Sequence, residues 1–168
     1  TMPNSNATAW QNGKNIGLIG FYECTQEQNL SERLINVALD NLKLKGCQTI
    51  RGPIDLTTWH PYRFAINQEQ NTVFAFEPMN KPYYLDQFEK NGFVEARRYA
   101  SLIRGDLDTM LEYSDRVRIS LIDAGYAVSR VYPEDFECKR KLIHEISNRI
   151  FEENWSFVPL SFPEFSYL

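Results

Sequence analysis

The chain has 168 residues, 43% hydrophobic and 24% charged, a balance typical of one globular domain with its own core. Its net charge of −4 argues against a nucleic-acid-binding protein, because phosphate binding requires clustered lysine and arginine in excess. There is no run of about 18 apolar residues and no leader-like N-terminus, so we expect neither a membrane span nor a secretory signal, and the cytoplasm is the expected compartment.

The three cysteines, Cys24, Cys47 and Cys138, are an odd number without CxxC spacing or a nearby histidine. A disulfide framework needs paired cysteines, and a structural zinc site needs clustered thiol and imidazole ligands. The sequence therefore predicts incidental or buried thiols and no metal site.

The first elements predict a strand, a helix and a second strand. ATAW followed by Asn12-Gly13 predicts a hairpin with the next strand, since both central turn positions need positive φ. That next strand covers residues 15–24, and its glycines at 17 and 20 permit close approach of another backbone or of a ligand.

The helix follows Asn29, with Glu32 three residues later as a capping box, and its apolar face consists of Leu34, Ile35, Ala38, Leu39 and Leu42. Gly46 is its predicted end, and CQTIRGP is the next strand. Short links between these three elements imply a parallel crossover, so the expected fold class is α/β.

The segment 54–80 is aromatic and irregular, with a predicted strand at Thr72 to Phe76. A loop of this kind after a strand end is where α/β sheets bind ligands. Its candidate substrate-pocket residues are Trp59, His60, Tyr62 and Arg63. The alternative is that Trp59 and Phe64 only cover the edge of the sheet.

The remaining elements alternate in type. A helix begins near Pro82 and ends at Asn91-Gly92, and a strand follows from Phe93 to Ile103. A second long helix covers 107–124 and has a stripe formed by Met110, Tyr113, Val117 and Leu121. YAVSRVY predicts a strand, and residues 133–153 predict a helix whose core face contains Phe136, Ile143, Ile146 and Ile150. The apolar tail is expected to pack, with Trp155 buried.

Three stretches, IGLIGFYEC, RGPIDLTTW and MNKPYYLDQFEKNGF, carry a family resemblance. Together, over residues 15–105, they resemble an uncharacterised bacterial branch of the GNAT superfamily of N-acetyltransferases. The resemblance implies a GNAT-like mixed sheet flanked by helices, and acetyl-CoA or another acyl-CoA as ligand. Main-chain groups of Tyr22 and Glu23 would bind the pantetheine arm, and the N–H groups of Asn29, Leu30 and Ser31 would bind the pyrophosphate.

Two positions depart from that family. The loop TQEQNLSER lacks the usual glycines and carries Glu27, and Phe88 stands where many members have a proton-donating tyrosine. Tyr84, about one helical turn earlier, is the candidate acid, with Tyr83 as the alternative, and Glu23 and His60 are the candidate bases. His144, on the last long helix, is expected at a surface or interface.

The order of elements is incomplete or permuted relative to a GNAT domain. Residues 1–105 would form its acyl-CoA-binding half, 106–125 a connecting helix, and 126–168 a unit resembling the opening of such a domain. In the branch it resembles, two such units occur in tandem, so 126–168 would pack back on the first part or on a second chain, as in a homodimer.

Three functions stay open: an acyl-CoA-dependent N-acyltransferase acting on an amine, a non-catalytic GNAT-like ligand-binding or structural module, and an unrelated α/β binding protein.

Overall fold

A small mixed sheet lies at the N-terminal end of the described chain. The computed structural model describes residues 9–11, 14–66 and 77–168. Strands β1 (Ala9–Gln11), β2 (Lys14–Leu18) and β3 (Thr49–Arg51) are ordered β1-β2-β3. β2 is antiparallel to β1 and parallel to β3, with Ile16 opposite Thr49. The predicted antiparallel pairing is confirmed, while its Asn12-Gly13 turn lies outside the described residues.

Helix α1 (Gln28–Leu44) connects the two parallel strands. Its buried face centres on Ile35, with Ala38, Leu39 and Leu42 packed against the same core. The chain leaves the helix through Gly46, whose φ of +77° is readily reached only by a residue without a Cβ. The predicted strand-helix-strand unit and the mixed α/β class are therefore confirmed.

The core forms where this unit meets helix α2 (Tyr84–Lys90). Its buried members are Ile19, Tyr22, Ile35, Tyr84 and Phe88. The ring of Tyr22 makes edge-to-face contacts with those of Tyr84 and Phe88, each with centroids 4.9 Å apart. Aromatic pairs in this arrangement contribute about 0.5–1.5 kcal/mol beyond the area they bury. Helix α2 is thus fixed against the end of β2.

Three further helices follow: α3 (Leu107–Asp123), α4 (Phe136–Ile150), which is preceded by a 3-10 turn at Pro133–Asp135, and α5 (Phe162–Phe165). None of the helices in the described ranges combines the length and hydrophobicity needed to cross a bilayer. The segment after α4 contacts the first part of the same chain. The indole N–H of Trp59 donates to the Val158 carbonyl over 3.1 Å, and the Arg51 guanidinium lies 4.8 Å from the Trp155 ring centroid.

Three detailed predictions, a strand boundary, a helix cap and the burial of one side chain, are wrong. β2 ends at Leu18 rather than near Cys24, because the chain turns at Phe21, where φ is +52°. The capping box of Asn29 and Glu32 does not form, since α1 begins at Gln28 and its N-cap is Glu27, without a side-chain cap. Trp155 is half-buried rather than buried.

Two predicted strands, at 93–103 and 126–132, are also absent from the described chain. Alternating apolar residues stabilise a strand only where a neighbour completes its hydrogen bonds, and neither segment pairs with β1, β2 or β3. In α4, Phe136, Ile146 and Ile150 are exposed instead of forming a core face. The predicted strand at 72–76 lies outside the described residues.

The predicted close approach at Gly20 is confirmed, and it gives a test of the fold. A Cβ on Gly20 would lie 2.2 Å from the Ile54 carbonyl oxygen, which is backbone and cannot move aside alone. We expect Gly20→Ala to reduce the free energy of unfolding by about 1–3 kcal/mol, as overpacking does. Denaturant unfolding measures the change.

The matched control is Gly105→Ala, since an added Cβ there meets no atom within 4 Å. This variant should unfold like the parent. Equal midpoints for Gly20→Ala and the parent would contradict the packing of the 19–21 turn against Ile54.

Candidate functional site

The candidate site lies in the loop between β2 and α1. We call residues 19–27 the strand-end loop. On one side it contacts the segment after β3: the N–H of Ile54 donates to the Ile19 carbonyl over 2.8 Å, and the N–H of Phe21 donates to Asp55 Oδ1 over 2.5 Å. On the other side it contacts α2. The loop is therefore held in place between two elements that are distant in sequence.

The candidate catalytic residues Glu23 and Tyr84 meet at this loop. The Tyr84 hydroxyl donates to Glu23 Oε2 over 2.6 Å, and the N–H of Cys24 donates to the same hydroxyl over 3.4 Å. Tyr84 is 3% exposed, whereas Glu23 is exposed. Burial, followed by the hydrogen bond to Glu23, raises the pKa of Tyr84 to about 12. Tyr84 is thus a neutral proton donor beside a solvent-facing carboxylate.

Gln87 of α2 and Tyr83, the residue before this helix, also bind the loop backbone. Gln87 is buried and lies between its partners, accepting from the Tyr22 hydroxyl over 2.8 Å and donating to the Thr25 carbonyl over 2.7 Å. The Tyr83 hydroxyl donates to the Cys24 carbonyl over 3.1 Å. Burial raises the pKa of Tyr22, so this hydroxyl also remains a donor. The carbonyl groups of Cys24 and Thr25, next to the main-chain groups expected to bind a pantetheine arm, are thus occupied.

The start of α1 differs from the expected phosphate site. The N–H groups of Leu30 and Ser31 both donate to the Glu27 carbonyl over 3.2 Å. Ser31 is buried, and its hydroxyl donates to the Gln28 carbonyl over 2.9 Å. In the first turn of α1, which lies within the described residues, the N–H groups of Gln28 and Asn29 have no such partner. Of the three predicted phosphate donors, only Asn29 retains that capacity.

Phe88, the position at which the family pattern expects tyrosine, is a core residue. Its ring is buried and lies 5.0 Å from that of Phe64 and 4.9 Å from that of Phe93. A hydroxyl at this position would not reach solvent. The only candidate acid of α2 in contact with a carboxylate, among the described residues, is therefore Tyr84.

The predicted substrate-pocket residues lie in separate surroundings. The Trp59 ring packs against those of Phe151, Phe157 and Phe165, with centroids 5.6–6.2 Å away. His60 Nδ1 lies 3.2 Å from Thr57 Oγ1, a contact within its own turn. The Trp59 ring therefore packs against the C-terminal part of the same chain.

Tyr62 and Arg63 belong to a cluster separate from the surroundings of Trp59 and of His60. Arg63 Nη2 lies 3.1 Å from Glu77 Oε2, and the Ser101 hydroxyl donates to Glu77 Oε1 over 2.8 Å. The Ser101 and Arg63 hydrogen bonds together lower the pKa of Glu77. The Tyr62 ring makes an edge-to-face contact with Tyr99 at 5.6 Å. This cluster joins residues 62–63 to the segment 99–101.

Sequence reasoning missed Gln87 and Asp55, which orient the strand-end loop. A signal existed for Gln87, because it lies three residues after Tyr84 and therefore on the same face of α2 as the aromatic stripe. It also missed the role of His144, whose Nε2 lies 2.7 Å from the Leu160 carbonyl oxygen. Asn148 forms two hydrogen bonds with the backbone of Leu160: its side chain donates to the carbonyl and accepts from the N–H.

No family model matches the chain, and no solved structure does. Among curated proteins it is similar to Protein YghO of Escherichia coli (strain K12), at 24% identity over 159 residues. The match covers 92% of this chain and 40% of that relative. The chain thus spans less than half the length of this relative, whose name states no activity.

The Tyr84 contact predicts a pH dependence of stability. Because the pKa of Tyr84 is raised from 10.0 to about 12 in the folded state, its contribution is complete below pH 10.0 and is lost as pH rises toward 12. Tyr84→Phe should therefore weaken the decline in the free energy of unfolding over that interval. Denaturant titrations at increasing pH measure the slope.

At neutral pH the same variant should cost about 1 kcal/mol for the lost hydrogen bonds. Glu23→Gln is the matched control, because it removes the charge but retains the burial that is the larger cause of the shift. It should flatten the decline less than Tyr84→Phe. Identical slopes in the parent and both variants would contradict the contact between the buried Tyr84 hydroxyl and the exposed Glu23 carboxylate.

Proposed function

We propose that this chain is the acyl-CoA-binding part of a GNAT-like N-acyltransferase, with Tyr84 and Glu23 as its acid and base. The observation that supports this best is the 2.6 Å hydrogen bond between the two side chains, close to the start of α1. Residues 1–105 would contain the site, with 106–125 as a connecting helix and 126–168 as the unit that packs on it. The family resemblance of residues 15–105 supports the same assignment.

The proposed chemistry is the transfer of an acyl group from a thioester to an amine. The amine nitrogen attacks the thioester carbonyl, forming the C–N bond, and its proton passes to the exposed carboxylate of Glu23. The C–S bond then breaks, and the Tyr84 hydroxyl gives its proton to the departing thiolate. Glu23 returns the proton it accepted to Tyr84 along their hydrogen bond, so both residues regain their starting state.

Binding of the thioester substrate would use the first turn of α1. The N–H groups of Gln28 and Asn29 point out of a helix N-terminus, where the helix dipole favours an anion. The Glu27 carboxylate lies beside them and would repel a pyrophosphate. We therefore expect weaker binding than at a glycine-rich loop, and expect Glu27→Gln to strengthen it.

The second candidate is a non-catalytic GNAT-like module that binds a small molecule or acts structurally. A specific observation favours it: Tyr83, Tyr84 and Gln87 already bond to main-chain groups of Cys24 and Thr25. A pantetheine arm pairing with the same groups would have to displace these side chains.

Measuring the melting temperature with and without acetyl-CoA distinguishes the acyltransferase from the non-catalytic module. A ligand at 100 times its dissociation constant stabilises the folded state by about 2.7 kcal/mol, so an acyl-CoA-binding chain should melt at a higher temperature in millimolar acetyl-CoA. Release of free thiol on addition of mixed primary amines then measures turnover. Tyr84→Phe and Glu23→Gln should each lower that rate by about 10²–10⁴-fold while leaving the thermal shift intact.

Each outcome of these two measurements favours one of the two proposed functions. No thermal shift at millimolar acetyl-CoA would overturn the acyltransferase proposal, and a shift without thiol release from any amine would favour the non-catalytic module. Loss of the shift in both variants would indicate that Tyr84 and Glu23 bind the ligand rather than move protons. Ser114→Ala, on the exposed helix α3, controls for handling of the variants.

A further inference from the structure

The C-terminal segment 155–165, which we call the C-terminal strap, contacts both helix α4 and the turn that follows β3. On α4 it is fixed at Leu160, which is 6% exposed. His144 Nε2 donates to the Leu160 carbonyl over 2.7 Å, because a carbonyl oxygen can only accept. Asn148 donates to the same carbonyl over 3.0 Å and accepts from the Leu160 N–H over 3.2 Å. Side chains of α4 thus hold both backbone groups of one buried residue.

The C-terminal strap also holds the turn formed by residues 54–61. The Trp59 indole N–H donates to the Val158 carbonyl over 3.1 Å. The Trp59 ring packs against those of Phe157 and Phe165, with centroids 6.0 Å and 6.2 Å away. The strap therefore contacts this turn through one hydrogen bond and two aromatic rings.

The same turn holds the strand-end loop through other residues. The N–H of Asp55 donates to the Pro61 carbonyl over 2.8 Å, so the two ends of the turn are joined. The Asp55 carboxylate accepts from the Phe21 N–H over 2.5 Å, and the Ile54 N–H donates to the Ile19 carbonyl over 2.8 Å. A closed turn therefore bonds to the strand-end loop at its beginning and to the C-terminal strap near its end.

Each of these three segments contains an unfavourable backbone conformation. Among the described residues other than glycine, φ is positive at Phe21 in the loop, Leu56 in the turn and Ser156 in the strap, with values of +52°, +68° and +58°. Such a conformation is unfavourable for a residue that has a Cβ, and it persists only where the surrounding structure imposes it. The shape of each segment therefore depends on the segments that contact it.

We propose that the C-terminal strap is a conformational device that controls the strand-end loop from a distance. Attached at Leu160, it holds the turn 54–61 against the loop, and on detachment it releases both. The coupling follows a continuous series of contacts, which is the physical basis that such a claim requires. Because Glu23 lies two residues after Phe21, the position of its carboxylate depends on whether the strap is attached. This coupling concerns the conformation of the loop and is independent of the acyltransferase chemistry.

Hydrogen exchange measured by NMR on the whole chain tests the coupling. In the double variant His144→Ala/Asn148→Ala, the strap loses its hydrogen bonds to α4. We therefore expect the Trp59 indole N–H to exchange at least about tenfold faster than in the parent. The backbone N–H groups of Ile54 and Asp55 should exchange faster by a similar factor, because their bonds depend on the turn that the strap holds.

Two controls separate this effect from a general loss of stability. The N–H groups in the middle of α1, around the buried Ile35, should exchange as in the parent, because they report unfolding of the whole core. Lys139→Ala is the matched variant on α4, since its ion pair is with Asp135 at the start of the same helix. It should leave all of these rates unchanged. Asn148→Ala alone removes two of the three bonds to Leu160 and gives the same comparison if the double variant does not fold.

Three results would overturn the proposal. In the first, the Trp59 indole exchanges faster while Ile54 and Asp55 keep their rates, so that the strap detaches without affecting the turn. In the second, the Trp59 indole keeps its rate although the bonds to α4 are removed. In the third, the middle of α1 is accelerated by the same factor as the turn, so that the variants destabilise the whole fold and not the strap.

Discussion

The packing of α2 against the strand-end loop is the interaction on which the rest of the described structure depends. Tyr84, Gln87 and Phe88 are the buried residues of this short helix. Phe88 contributes a ring to the core, while Tyr84 and Gln87 bond to the loop that joins β2 to α1. One helix face therefore joins the sheet, the long helix and the loop between them. Removing it would leave the ends of both parallel strands without cover.

This dual role constrains the function. A hydroxyl or amide that bonds to backbone in a low-dielectric interior stabilises one loop conformation, because leaving the buried partner unsatisfied would cost about 1–3 kcal/mol. The same bonds reduce what the loop can offer to a ligand. The loop retains the exposed Glu23 carboxylate, the hydroxyl of Tyr84 beside it, and two N–H groups at the start of α1. Proton transfer needs only the first two, whereas tight binding of a coenzyme needs more main-chain donors.

The sequence predicted the local elements better than the pairing between them. Periodicity and the Gly46 stop located α1, and Gly20 indicated a close approach, because both are properties of a few adjacent residues. The strand expected over 93–103 failed because an extended segment needs a partner edge, and that partner is set by tertiary structure. At the site, the family resemblance made Tyr84 a candidate, and Glu23 was a candidate because of its place at the end of the predicted strand. The contact between Tyr84 and Glu23 depends on how α2 packs. Trp59, His60 and Arg63 lie in separate surroundings because the path of the loop through space is not determined by the spacing of its residues.

The C-terminal tail and helix α3 differ in how far other parts of the described chain cover them. The sequence left open whether the C-terminal tail packs within the chain or on a second one. In the structure Trp59 bonds to Val158 and Arg51 lies over Trp155, so the tail already has partners in its own chain. His144 and Asn148 further fix the backbone of Leu160. A second copy is thus not needed to cover the tail. Among the described residues, the apolar side chains of α3 have no equivalent cover, since none of the residues of that helix is buried.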